Sequence, residues 1–569
     1  MTDRPSPTPD TRDALAAAVA GAAAAAWATA ALAVLAGALR PAVGLGGVAV
    51  GVVVAAIALR RGTSPGSSRP AWTRLEWAAL ASFGAVSVRQ FGWLAYRSEG
   101  AVLTLLPSNY GDLPLHWTYV AHLAGGAAFW PANPIFTGDR LKYPLGVDLL
   151  TAIPVQLGAP VAAALVAMGL AGAALTALAL RRWGGALAVA GFLFAGGLAG
   201  LEVLATGVVH DYQNAVAWKN PYLTLFVPQR GFLLALPVGL LLLWSWRRRL
   251  LRGEPALAPW VEGVLWGALP LVHLHSFLFV SVVFAAWTAG GRRWREAARA
   301  LAVALAPAAW SAWQVTDGFR AASLVGWKPG WMIGGEGALV FLLLNFGLFL
   351  PLALAALVLA LLRRDREELL VLGPALAVFA ALFLVRLAPW EWDNTKVMVW
   401  CYLVALPPIE ALVLRRVRRG WRAAAVAGLL FSGAVSVAAA CLGEAGPLGV
   451  LEEAEYAGVC EALRPLGRNE RLATAQAHNH PVALCGQPIV AGYSGHLWSH
   501  GLRSGPVEAG LRQLMLGGGD FRAEARSLGA RYVFWGPREE AVFRDSSQPW
   551  REAGPPVASG PWGALYRVD

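Results

Sequence analysis

Long apolar runs, each closed by a short basic cluster, constrain this chain more than any other feature. Runs long enough to cross a bilayer stand near 15–39, 43–59, 75–95, 147–180, 184–208, 231–246, 298–313, 338–362, 367–386, 397–414 and 421–441. Between them lie "RRGTSPGSSRPAWTR", "RR" at 181–182, "RRRLLR" at 247–252, "RRWREAAR" at 292–299, "RRDR" at 363–366 and "RRVRRGWR" at 415–422. With 57% hydrophobic and only 14% charged residues, the chain lacks the polar surface of a water-soluble protein. It reads as a polytopic α-helical membrane protein, and the lipid bilayer is its first partner. A net charge of +12 could otherwise suggest nucleic acid. The cations, however, sit in short clusters between apolar runs rather than in a patch with interleaved aromatics, so nucleic acid is excluded.

The positive-inside rule then sets the topology. If the basic clusters stay on the cytoplasmic side, the N-terminus does too, and the apolar segment 258–290 must cross twice as a short hairpin. The count is about 13 spans, with Arg40 alone misplaced in a short outer turn. The first run exceeds a signal-peptide core and is expected to remain as a span. The division is a polar, Pro-rich, disordered cytoplasmic N-terminus at 1–14, a transmembrane body at 15–441 with an outer loop at 96–146, and an outward-facing domain at 442–569. That last part alternates short apolar and amphipathic runs, as a small α/β domain does. Cys460 and Cys485 lie within it and could pair in an oxidising compartment.

This topology gathers every unusual polar cluster on the outer side, where ionisable groups near lipid tend to be functional. In "GDLPLH", Asp112 and His116 share one helical face. Three readings stay open: an N-cap ahead of Pro114, a carboxylate that takes a proton from an acceptor hydroxyl with the imidazole orienting it, or two ligands of a metal. In "FTGDRLKYPLGVD", Asp139, Arg140 and Lys142 suit either interfacial anchoring or a lipid phosphate. Arg230, after Gln229 in "VPQRG", and Lys219 eleven residues earlier are further phosphate candidates, against a snorkelling arginine. His273 and His275 mark the hairpin tip. "PWEWDNTK" sets Trp390, Glu391, Asp393 and Asn394 together, the mixture of rings and acids that binds sugars, although Asp393 could simply neutralise Lys396. The C-terminal part adds His478, His480, His496 and His500 in a spacing that matches no standard zinc arrangement.

The stretch "GDLPLHWTYVAHLAGGAAFWPANPIFTGDRLKYPLGVDLL" resembles the first outer loop of multi-span glycosyltransferases of the GT-C superfamily. The order of parts is also similar: a polytopic body, then an outer α/β domain ending in a "LGARYVFWGP" strand. Protein O-mannosyltransferases, aminoarabinose transferases and single-subunit oligosaccharyltransferases share that plan. "PQRGF", "HLHSF", "PWEWDNTK" and "HNHPV…GYSGHLWSHG" look like those of a bacterial branch of this type, so the resemblance covers about 75–540 as an ordered set of short motifs.

The resemblance implies a bacterial inner-membrane enzyme of the cell envelope. Its donor would be a sugar on a polyprenyl phosphate, its catalytic residues Asp112 with His116, and its phosphate ligands Arg230, Lys219, Arg140 and Lys142. The acceptor is not specified, no cofactor is assigned, and a divalent cation stays open. No second acid stands beside Asp112, and no acceptor-peptide motif is found. The competing classes are a non-catalytic relative that binds glycans or assembly partners, and a transporter of lipid-linked substrates. A transporter would call for charges deep in the spans and internal repeats, which the chain does not show.

Overall fold

The computed structural model describes residues 13–61, 72–254, 256–320 and 324–569. The polar start of the chain, up to residue 12, and most of the basic stretch "RRGTSPGSSRPAWTR" lie outside the described residues.

Apolar composition and local caps explain the helices. Asp13 accepts the Ala16 amide and starts α1 (Ala14–Ala36); α2 spans Pro41–Arg61. These two helices approach closely because Gly47 and Gly51 leave room, and a Cβ on Gly47 would collide with Thr29. Thr73 and Glu76 form a reciprocal capping box at the start of α3 (Arg74–Gly92). A hairpin of β1 (Tyr96–Ser98) and β2 (Ala101–Thr104) leads into α4 (Asn109–Ala124) and then α5 (Gly146–Gln156). Next come α6 (Val161–Leu193), the short α7 (Glu202–Thr206), α8 (Phe232–Trp246), α9 (Pro259–Val272), α10 (Leu274–Gly291) and α11 (Trp294–Val315). After β3 (Gly326–Trp327) follow α12 (Ala338–Phe346), α13 (Phe349–Arg363) and α14 (Arg366–Ala381). β4 (Val385–Arg386) pairs with β3, and α15 (Thr395–Pro408) and α16 (Arg419–Leu442) complete the body.

Six helical stretches among the described residues are long and apolar enough to cross a membrane. The pair α12 and α13, bent by 94°, makes a seventh if it counts as one span. The chain is therefore a multi-pass membrane protein, with fewer full-length spans than the 13 or so expected. Apolar runs do not translate one-to-one into crossings. The run expected at 147–180 is split between α5 and α6. Conversely, the runs at 147–180 and 184–208 share α6, which bends at Gly184 and Gly185, the latter at φ +61°. Several other helices, α8, α9, α13 and α14 among them, are only 14 to 16 residues long. The segment 258–290 is indeed two helices, broken at His273.

Beyond α16 the chain changes architecture. β5 (Leu448–Glu452) pairs with β2, so the start of this part is bonded to the 96–146 segment. Helices α17 (Glu453–Leu463) and α18 (Pro481–Leu484) are tied by a Cys460–Cys485 disulfide with Cα atoms 5.3 Å apart. β6 (Leu472–Ala473) is followed by a short helix, α19 (Ser494–Ser499). It then pairs in parallel with β7 (Tyr532–Trp535), and β8 (Ala558–Gly560) and β9 (Gly563–Arg567) complete a sheet of order β6-β7-β9-β8.

A second seam of backbone bonds joins the two regions. The Ile489 and Gly492 amides donate to Pro134 and Ile135, and the Thr137 amide donates to Val490 at 2.9 Å. Arg471 reinforces it by donating to the Asn133 carbonyl at 3.0 Å. The C-terminal part is thereby held over the end of the helical body where α4 begins.

Candidate functional site

A cavity of about 570 Å3 opens between the helical body and the C-terminal part. Its wall collects residues from seven separated stretches: the first turns of α4, the 142–144 loop, residues 219–231, the α9–α10 junction, Leu324, residues 387–396 and the region of α19. That volume is in the range of small-molecule sites.

Asp112 faces this cavity from the first turn of α4. The cap reading does not hold: the helix begins at Asn109, Ser108 occupies the cap position, and Pro114 lies inside the helix. Burial pushes the Asp112 carboxyl above its ordinary 3.8, with nearby His116 and Lys396 pulling it back and Asp393 adding to the rise. His116, one turn along, does not line the cavity. It is buried, and its Nδ1–H donates to the Asp148 carboxylate at 2.9 and 3.0 Å. Asp148, equally buried near the start of α5, thus sets the tautomer and orientation of His116. Tyr143, on the cavity wall, lies 5.9 Å from the His116 ring.

Three lysines line the same space. Lys142 pairs with Asp139 at 2.8 Å, and Lys396 with Asp393 at 3.1 Å. Lys219 has no ion pair within 4 Å among the described residues, and burial lowers its ammonium from 10.5. A bound anion would reverse that shift. Arg230 is not among these cations. It is fully buried, its Nη2 donates to the Leu165 carbonyl at 2.6 Å, and its Nε and Nη1 have no partner among the described residues. Its neighbours Gln229 and Gly231 reach the cavity instead. Arg140 also points elsewhere, to Gln314 at 2.6 Å and Asp317 at 3.3 Å.

His273 and His275 both line the wall at the break between α9 and α10. His273 additionally caps α10 by accepting the Ser276 amide at 3.1 Å. From the 387–396 stretch, Trp390, Trp392, Asp393 and Lys396 face the cavity. Glu391 does not, and pairs with Lys328 at 3.7 Å. Asn394 is buried, accepting the Leu387 amide and donating to Leu382 and Val385, so it shapes the turn that presents its neighbours.

The four C-terminal histidines separate into two kinds. His496 and His500 enter the cavity. Burial pushes them down to about 4 and about 3, helped by His478 and then His116 for His496, and by His496 and then Lys396 for His500. Both are neutral near pH 7, which leaves the lysines as the cationic groups of the wall. His478 lies against Tyr110 with centroids 4.1 Å apart and planes tilted by 49°. His480 is buried against Glu539 at 2.9 Å, far down in the sheet region, where it holds the fold.

Sequence reasoning did not single out Asp148, Tyr493 or Trp498. Asp148 left one signal, an acid at the start of an apolar run, where a charge is costly unless paired. Among the described residues no cluster of three or more His, Cys, Asp or Glu side chains could hold a metal ion. Asp112 and His116 in particular do not converge, since His116 is turned to Asp148.

No family model and no curated protein matches the chain. Among solved structures it is similar to the oligosaccharyltransferase of Archaeoglobus fulgidus in the apo form, at 13% identity and TM-score 0.41, over 81% of this chain and 69% of that one. It is also similar to ArnT from Cupriavidus metallidurans in the apo state, at 14% identity and TM-score 0.45, over 87% of this chain and 98% of that one. ArnT bound to undecaprenyl phosphate gives 15% identity and TM-score 0.41, over 87% and 97%.

Proposed function

We propose that this chain is a membrane glycosyltransferase that moves a sugar from a polyprenyl-phosphate-linked donor to an acceptor hydroxyl on the outer membrane face. The observation that carries this reading is the cavity itself. It places a carboxylate, Asp112, in one enclosure with Lys142, Lys219 and Lys396, beside the membrane helices. Glycosyl transfer from a lipid phosphate asks for these two kinds of group, a base for the acceptor and cations for the leaving phosphate.

In the proposed reaction the acceptor oxygen attacks the anomeric carbon as Asp112 takes its proton. The new C–O bond forms as the bond from the anomeric carbon to the phosphate oxygen breaks. The electron pair leaves on the polyprenyl phosphate, whose growing charge the lysines stabilise. A single displacement of this kind inverts the anomeric centre. Of the cations, Lys219 is the best placed to take the phosphate, because Lys142 and Lys396 already hold carboxylates. The phosphate role expected for Arg230 passes to these lysines, since Arg230 is spent inside the helical body. An outward-facing site is supported by the basic clusters at the other helix ends and by the Cys460–Cys485 disulfide, which belongs in an oxidising compartment.

Native mass spectrometry of the full chain in nanodiscs identifies the co-purified lipid and its sugar, and that lipid then serves in a transfer assay. Asp112→Asn should retain the lipid and lose transfer by about a thousandfold, within the range of a general base. Lys219→Ala should release the lipid. Undiminished transfer in the first variant removes the base, and unchanged retention in the second removes the phosphate contact.

A further inference from the structure

Three large aromatic side chains stand nearly half out of contact inside the cavity. Trp498 is 52% exposed, Tyr493 46% and Trp390 42%, and all three line it. Trp residues that anchor a membrane protein face lipid or the headgroup layer. Trp77, Trp294 and Trp421 are exposed in that manner, and none of them lines the cavity. The cavity rings are therefore uncovered surface within an enclosure, where bare apolar area is costly unless a ligand covers it.

The rings are arranged in two groups. On one side Trp390 lies over Trp392, with centroids 5.0 Å apart and planes at 30°. On the other a row runs from Tyr110 to His478 at 4.1 Å, to Tyr493 at 6.0 Å and to His496 at 5.3 Å. His496 ends this row beside the base: a Cβ on Gly111, the residue before Asp112, would stand 3.6 Å from its Nε2. Tyr110, which is 42% exposed, and His478 are not among the residues that line the cavity, so the row enters it at Tyr493 and ends at His496 beside the base.

A ligand that fits must be flat and apolar on its faces and polar at its edges. Sugar rings have that form: their C–H faces lie on aromatic rings while their hydroxyls meet groups such as Asp393, His496 and Gln229. None of the residues lining the cavity lies in a strand, so it offers no strand edge on which a peptide could be added. We infer that the acceptor is a glycan, seated on Trp498 and Tyr493 so that one hydroxyl of its terminal sugar reaches Asp112. This rests on the transferase reading above and names its acceptor class.

The test uses the full chain in nanodiscs against an oligosaccharide array and a matched peptide array, with retention of undecaprenyl phosphate measured in parallel. The wild type should capture oligosaccharides and no peptide. Trp498→Ala and Tyr493→Ala should each weaken capture by about tenfold while lipid retention holds. Tyr493→Phe, which keeps the ring, should bind as the wild type does. These two side chains are half exposed, so the variants fold. Lipid retention without oligosaccharide capture overturns the glycan proposal and leaves the transferase reading intact. Peptide capture overturns it as well. Loss of lipid retention in the wild type sinks the transferase reading itself.

Discussion

A base must be ionised to act, and Asp112 is held above its ordinary 3.8 by burial. Transfer should therefore rise with pH along a limb whose midpoint lies above 3.8. Lys396 favours the ionised form, so Lys396→Met should move that limb upward by up to about one pH unit in a pH–rate profile. A limb that stays in place removes Lys396 from the electrostatics of the base. Asp148 acts one step further back, through His116. Asp148→Asn should leave the donor KM unchanged and lower kcat by about a hundredfold, because the amide can also present an N–H to Nδ1 and no longer fixes the tautomer of the imidazole. A change confined to KM would mean that Asp148 shapes binding instead. At this scale the sequence showed which polar residues are unusual for a membrane chain, and not which way they turn. Arg230 and Lys219 looked alike as cations near an interface. Only packing shows that the guanidinium is aimed at the Leu165 carbonyl and that the ammonium is left facing open space.

Elements bring the C-terminal histidines to Asp112 through one tight contact. Gly486, at φ +81°, follows α18 and lies against α4, where an added Cβ would meet Ala121 and His122 backbone atoms at 2.6 to 2.7 Å. The Gly486 carbonyl accepts the His122 Nδ1–H at 2.9 Å. Burial keeps that imidazole neutral by pushing it down to about 4. Gly486→Ala should cost about 2 kcal/mol or more, combining a left-handed backbone with a clash against main chain. Thermal unfolding would show the loss, and an unchanged melting temperature would mean that the two parts are not locked at this point. Helix positions were legible because apolar runs and caps are local. Their breaks were less so: α6 bends at Gly184 and Gly185 where Pro407 packs closely, and the 94° turn between α12 and α13 falls at Gly347, against Gly197.

For the molecule as a whole, the disulfide is the strongest covalent constraint on the C-terminal part. It closes a separation of 25 residues and sits against a small core that includes Val459, Leu463, Val482 and Phe534. Replacing both cysteines by serine should cost about 3 kcal/mol through the freed entropy of the unfolded loop. The expected signature is an earlier C-terminal transition on melting, which reducing agent reproduces in the wild type. A melt insensitive to both would show that the disulfide does not limit the stability of the C-terminal part.

By itself the sequence determined that this chain lives in a membrane, that its cations gather between the apolar runs, and that a β-containing part follows the last helix. Those properties are sums over neighbouring residues, and the cost of exposing apolar surface or burying charge enforces them wherever the chain folds. The tertiary structure decided which side chains share the cavity. Asp112, Lys219, His273, Asp393 and His500 are separated by up to nearly four hundred residues, and no local rule relates them. They meet because close packing of the helices and the backbone seam to residues 489–492 leave one polar space between the body and the C-terminal part.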